Sequence, residues 1–65
     1  MAGDFVLAEL EMSHAVQHVA LARDALKDDN LLWAIQNLAD ARTDLFYARK
    51  RVKSLLASGI PPTPA

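Results

Sequence analysis

The 65-residue chain contains no cysteine, which excludes a disulfide framework and a thiolate metal site. Its two glycines and three prolines lie near the ends, so neither residue type interrupts positions 4–58. A chain this short buries too small a fraction of its surface to be comfortably stable without a disulfide, a metal or a partner. Association with another chain is therefore the route to stability that the composition favours.

The chain also lacks a net charge of one sign, because seven lysines and arginines nearly balance eight acids, leaving a formal charge of −1. No strong field attracts nucleic acid or an anionic membrane, so we expect neither as a partner. Acidic residues interrupt the apolar ones well before the roughly 18 consecutive residues that a membrane span needs. The opening Met1–Asp4 has no basic region typical of a secretory signal, and we expect a cytoplasmic protein.

Two long runs of helix-forming residues predict an all-α fold with helix 1 at about residues 4–27 and helix 2 at about 30–58. Asp4 is suited to cap the first helix. Residues 28–30, Asp-Asp-Asn, are turn-forming types, and any of them could cap the second helix. We therefore expect residues 1–58 to form one antiparallel two-helix hairpin.

The chain ends in a short segment of different composition, residues 59–65. Gly59 is suited to the left-handed backbone position that often follows a helix. The three prolines beyond it predict an extended tail.

Apolar residues recur along both runs at alternating spacings of three and four, as in a coiled coil. In each run a large residue alternates with alanine over more than three heptads. The positions are Phe5, Ala8, Met12, Ala15, Val19, Ala22 and Leu26 in the first run, and Leu31, Ala34, Leu38, Ala41, Leu45, Ala48, Val52 and Leu55 in the second. We expect these positions to form the contact between the two helices.

Two registers fit this pattern. Folding about residue 30 pairs Leu26 with Ala34 and Ala22 with Leu38, so each layer holds one large and one small residue. A tighter turn would instead set Leu26 beside Leu31 and alanine beside alanine, allowing the backbones to approach closely. We favour the first register, because mixed layers fill space evenly.

Two helices that touch along one line leave other apolar side chains uncovered, and these predict a partner. Most flank the predicted contact, and two large aromatic rings lie near them. The predicted partner or dimer interface comprises Leu7, Leu10, Leu21, Leu32, Trp33, Ile35, Phe46 and Tyr47. We expect a homodimer that completes a four-helix bundle, or docking of a helix from another protein.

The alternation of alanine with larger residues over positions 4–56 resembles the helical hairpins of the Rop family of plasmid copy-number regulators. That resemblance implies a four-helix dimer that binds RNA loops through the exposed face of helix 1. This sequence departs from it there, because Arg23 and Lys27 are the only cations of helix 1 and Glu9, Glu11 and Asp24 lie among them. Such a surface is poorly suited to phosphates.

Basic residues cluster instead near the end of helix 2, at Arg42, Arg49, Lys50, Arg51 and Lys53, where a nucleic-acid contact is an alternative reading. Closure of the hairpin brings this segment beside acidic residues of helix 1. Cations near a helix C-terminus also complement its dipole. We favour charge pairing within the hairpin over binding of nucleic acid.

One group of side chains has spacing suited to a metal, namely Glu11, His14 and His18 on one flank of helix 1. Asp40 and Asp44 fall near the histidines when the hairpin closes. Hydrogen bonds between histidine and aspartate explain the same residues, and we favour that explanation. We expect no cofactor.

An alanine-rich hairpin leaves little room for a water-excluding pocket, and the serines have no triad context, so we expect no enzymatic activity. The sequence favours a small helical module that assembles or regulates through its apolar faces. A Rop-like nucleic-acid binder and a metal-binding bundle are the alternatives.

Overall fold

The computed structural model describes residues 2–59, apart from the side chains of residues 2 and 4. It contains two α-helices, α1 (Ala2–Lys27) and α2 (Leu31–Ala57), which pack against each other as an antiparallel hairpin measuring 46 × 21 × 15 Å. This confirms the all-α hairpin predicted from sequence. Within residues 2–59, neither helix is long and apolar enough to cross a membrane.

The helix boundaries follow local chemistry. Helix α1 begins before Asp4, so the predicted N-terminus was two residues late, and capping by the Asp4 side chain lies outside the described residues. Helix α2 is capped by Asn30, whose side-chain oxygen accepts a hydrogen bond of 3.1 Å from the backbone N–H of Trp33. Such a cap satisfies one of the backbone donors that a helix start leaves unpaired.

The turn between the helices is a Schellman-type C-cap. The backbone N–H of Asn30 donates to the carbonyl of Ala25 at 2.8 Å, and that of Asp29 donates to the carbonyl of Leu26 at 3.1 Å. Asp29 takes the left-handed conformation that this motif requires, with φ +57°. Asn30 therefore serves both helices, because it closes the end of α1 and caps the start of α2.

Helix α2 ends as the sequence predicts. Ser58 is the C-cap, and Gly59 adopts a left-handed φ of +76°. A glycine takes this conformation without the steric cost that a side chain would add. The remainder of the predicted tail, residues 60–65, lies outside the described residues.

The contact between the helices differs from the predicted one. Buried positions recur every seven residues on each helix, and nearly all of them are alanine. We call this set the alanine seam, and it consists of Ala8, Ala15, Ala22, Ala25, Ala34, Asn37, Ala41, Ala48 and Leu55. Ala22, Ala25 and Ala34 form one buried cluster. The expected layers of one large and one small apolar residue are therefore wrong, because the large residues that were expected in those layers, apart from Leu55, are exposed.

Candidate interaction surface

The large residues that were expected inside the hairpin lie beside the alanine seam instead. Most of them follow a seam alanine by four residues, and the first one on each helix lies seven residues before the next. We call this set the apolar stripe, and it consists of Phe5, Met12, Val19, Leu26, Leu31, Leu38, Leu45 and Val52. Their relative exposures range from 37% to 63%. Alanine lets two helix backbones approach closely, so bulky side chains do not fit between them and turn to one side.

The stripe residues of the two helices share one face of the hairpin. Met12, Val19 and Leu45 line one groove of about 340 Å³ together with Ala15 and Val16. Met12 and Leu45 also line an adjacent groove of about 320 Å³ with Val52. Helical periodicity extends the same face to the remaining members of the stripe. The result is a band of eight half-exposed apolar side chains that runs the length of the molecule.

Pairs of polar side chains connect the two helices beside the buried alanines of the seam. The Nε of Arg51 donates a hydrogen bond of 2.6 Å to Oε1 of Glu11. The ring Nδ1 of His18 lies 2.8 Å from Oδ2 of Asp44, and its Nε2 lies 4.0 Å from Oδ2 of Asp40. A carboxylate only accepts hydrogen bonds, so the imidazole donates. These contacts confirm, for Arg51 and His18, the sequence expectation that basic residues of α2 and the histidines of α1 meet acids across the hairpin.

Asn37 is a seam residue that sequence reasoning missed. It is 2% exposed, and its side-chain nitrogen donates a hydrogen bond of 2.9 Å to the carbonyl of Trp33. Among the side chains that the structure describes, no buried nitrogen or oxygen lacks a hydrogen-bond partner. The signal that could have revealed Asn37 is its position three residues after a seam alanine, where Glu11, His18 and Asp44 also lie.

The eight residues predicted as the partner interface are all exposed, with values from 42% to 68%. They do not form one band. One group precedes a seam alanine and lies on the face opposite the apolar stripe, and the other lies on the outer sides of the helices. The first group is Leu7, Leu21, Trp33 and Tyr47, the second is Leu10, Leu32 and Phe46, and Ile35 lies at the border of the apolar stripe on α2. Phe46 and Tyr47 contact each other edge to face, with ring centroids 5.5 Å apart. Their role at an interface stays a prediction.

In the predicted basic cluster, two residues contact other side chains and three are exposed. Arg51 is the half-buried partner of Glu11, whereas the Nζ of Lys50 lies over the ring of Phe46, 5.4 Å from its centroid. The side chains of Arg42, Arg49 and Lys53 are exposed. The predicted pairing with Glu11 is confirmed, and the pairing with Asp4 lies outside the described side chains.

The candidate metal ligands do not converge. Glu11 is held by Arg51, His18 is held by Asp44, and His14 is exposed. Across the described part of the chain, no three His, Asp or Glu side chains are placed to hold a metal ion. The spacing of Glu11, His14 and His18 along α1 instead places two of them in contact with polar side chains of α2.

The geometry thus provides one extended apolar surface beside a polar and alanine-lined contact. Comparison of the chain with protein-family models, with curated proteins and with solved structures found no match.

Proposed function

We propose that the protein is a non-enzymatic helical interaction module that assembles through the apolar stripe, with two copies packing face to face as a four-helix bundle. The observation that carries this proposal is the stripe itself. Monomeric soluble proteins rarely expose a contiguous apolar patch of more than a few hundred Å², and larger ones mark interaction sites. Here the apolar side chains run along a molecule that measures 46 Å in its longest dimension.

The dimensions suit a stable dimer. A standard protein interface buries roughly 800 Å² on each partner, and the 46 × 21 Å outline of the molecule is large enough to hold an interface of that size. Covering the exposed half of one large apolar side chain contributes about 1 kcal/mol. Eight such side chains on each of two copies together match or exceed the roughly 4–15 kcal/mol that association costs. A second copy is a natural occupant, because a flat face along two antiparallel helices is complementary to itself after a two-fold rotation.

The hairpin alone has little else to stabilise it. Its own seam consists mainly of alanines, whose burial removes little apolar surface from water. A domain of this size without disulfide or metal is marginal. Folding of the hairpin and closure over the stripe are therefore coupled in this proposal.

Sedimentation equilibrium over a wide concentration range tests the proposal. The wild type is expected to sediment as a dimer, and Met12→Lys with Leu45→Lys is expected to abolish the dimer, because charges would be buried in its centre. Ala20→Lys with Ala39→Lys is the matched control, since it adds the same charge to exposed residues that lie outside both the apolar stripe and the interface predicted from sequence. Circular dichroism of each sample reports whether helix is retained. A wild type that remains a helical monomer at all concentrations contradicts the proposal.

A further inference from the structure

We propose that the second copy packs on the apolar stripe with its two-fold axis parallel to the helices, so that both turns lie at the same end of the bundle. This inference rests on the proposed dimer and specifies its arrangement. The alternative has a two-fold axis perpendicular to the helices and places the turns at opposite ends. The charges that border the stripe distinguish the two arrangements.

The stripe is bordered on each helix by the residues that directly follow the seam positions spaced seven residues apart, namely 8, 15 and 22 on α1 and 34, 41, 48 and 55 on α2, and we call these bordering residues the rim. The rim is Glu9, Val16 and Arg23 on α1, and Ile35, Arg42, Arg49 and Leu56 on α2. Two of them contact the grooves along the stripe, Val16 beside Met12 and Val19, and Arg49 beside Leu45 and Val52. Seven-residue spacing places the other members on the same lines.

The polar contacts across the seam fix which rim residues lie at the same height. Glu11 meets Arg51, and His18 meets Asp44 and Asp40. From these pairs, and a rise of 1.5 Å per residue, Glu9 lies within about one helical turn of the height of Arg49.

With the two-fold axis parallel to the helices, α1 of one copy packs on α2 of the other at equal height. Each Glu9 then lies nearest Arg49 of the second copy, which makes two symmetry-related attractive pairs. Val16 lies nearest Arg42 of the second copy, and Arg23 lies nearest Ile35 of the second copy. Among the rim residues, the nearest neighbours across this interface therefore include no pair of like charges.

With the two-fold axis perpendicular to the helices, each helix packs on its own counterpart. Glu9 is then attracted to Arg23 of the second copy. However, Arg42 and Arg49 of one copy lie beside Arg42 and Arg49 of the other, and these arginines repel each other. Like charges opposite each other disfavour an assembly by about as much as opposite charges favour it. The attraction on α1 is offset by the repulsion on α2, so the parallel axis is the favoured arrangement.

Reversing the charge of a rim residue distinguishes the two arrangements, because they predict opposite changes in the dimer dissociation constant for Arg49→Glu. In the proposed dimer, Glu9→Lys and Arg49→Glu each raise the dimer dissociation constant by roughly three- to thirtyfold at low salt, and the double variant restores it. The perpendicular arrangement predicts the opposite for Arg49→Glu, which would tighten the dimer by removing the arginine repulsion. Lys50→Glu changes the net charge equally on the outer side of α2 and serves as the control.

A distance measurement gives an independent answer. The natural chain has no cysteine, so Asp28→Cys in the exposed turn accepts a single spin label for electron double resonance. The proposed dimer places the two labels within about 25 Å, since packed helices lie about 10 Å apart. A distance near the 46 Å length of the molecule overturns the inference and leaves the dimer standing. A monomer without dipolar coupling overturns both the inference and the proposed function.

Discussion

The Nε of Arg51 lies 2.6 Å from Oε1 of Glu11, although 40 residues separate the two in the sequence. The contact spans the seam near the open end of the hairpin, far from the turn. The side chain of Glu11 is 18% exposed and that of Arg51 is 36% exposed, so water screens the pair less than it would a surface pair. The pair therefore holds the two helix ends together where the covalent connection does not.

A double-mutant cycle on this pair is expected to show a coupling free energy of about 1 kcal/mol. The cycle compares Glu11→Ala, Arg51→Ala and the double variant by urea unfolding at one fixed protein concentration, because dimer stability depends on concentration. Charge-assisted hydrogen bonds that are partly shielded exceed exposed ion pairs in strength. Asp24 and Lys27, 3.9 Å apart and both largely exposed, form the control cycle. Coupling no larger than in that control would contradict the expectation.

Enlarging a seam alanine is expected to destabilise the hairpin by about 1–3 kcal/mol. Ala41→Leu forces a bulky side chain between backbones that approach closely, and the helices must separate to admit it. Ala39→Leu is the matched control, because Ala39 lies two residues away on the same helix and is exposed. Urea unfolding monitored by circular dichroism compares the two. Equal stability of the two variants would mean that the helices are not in close contact at Ala41.

The left-handed conformation of Asp29 makes the turn sensitive to the residue at that position. Asp29→Gly is expected to stabilise the hairpin by about 0.5 kcal/mol, because glycine takes φ +57° without steric cost. Asp29→Val is expected to destabilise it by about 1–2 kcal/mol, because a β-branched side chain clashes in this region. Asp28→Val is the control, since the backbone of Asp28 is not in the left-handed region. The order Gly, Asp, Val in melting temperature is the measurement, and a reversed order would refute the argument.

Much of the fold was predictable from local chemistry. Proline and glycine are absent from residues 4–58, which left two helices and one turn as the simplest structure. Asn30 and Gly59 are residue types with strong positional preferences. Asn30, one of three candidate caps, is the N-cap of α2, and Gly59 takes the predicted left-handed position. The start of α1 was misplaced by two residues, because Asp4 is as acceptable within a first helical turn as it is at a cap.

The helix contact was not predictable by the same reasoning. A pattern of large residues and alanines at spacings of three and four fits a seam that contains both types, and it fits equally a seam of alanines flanked by the large residues. The choice depends on how closely the backbones approach, which is a property of the packed pair and not of either helix. Met12 and Leu45 were therefore expected in the core of the hairpin but lie in the exposed apolar stripe. Glu11 and His18 were expected on a flank of helix 1. They contact α2, because each lies three residues after a seam alanine.

Substitution of Asn37 tests whether the stability of the hairpin requires an uncharged side chain at this buried position of the seam. Asn37→Asp has the same size but removes the donor to the Trp33 carbonyl and places a carboxylate in a position that is 2% exposed. Burying an unpaired charge is costly, so we expect a loss of about 2–4 kcal/mol in the free energy of unfolding at neutral pH.

Asn37→Ala is expected to cost only about 1 kcal/mol, because the seam already accommodates alanine at most of its positions and the hydrogen bond that is lost is a neutral one. Gln36→Glu adds the same negative charge one residue earlier, on an exposed position, and controls for the change in net charge. Thermal and urea unfolding of the three variants at equal concentration give the comparison. If Asn37→Asp were no less stable than Asn37→Ala, position 37 would be open to water. That result would contradict a close contact of the two helices around this position.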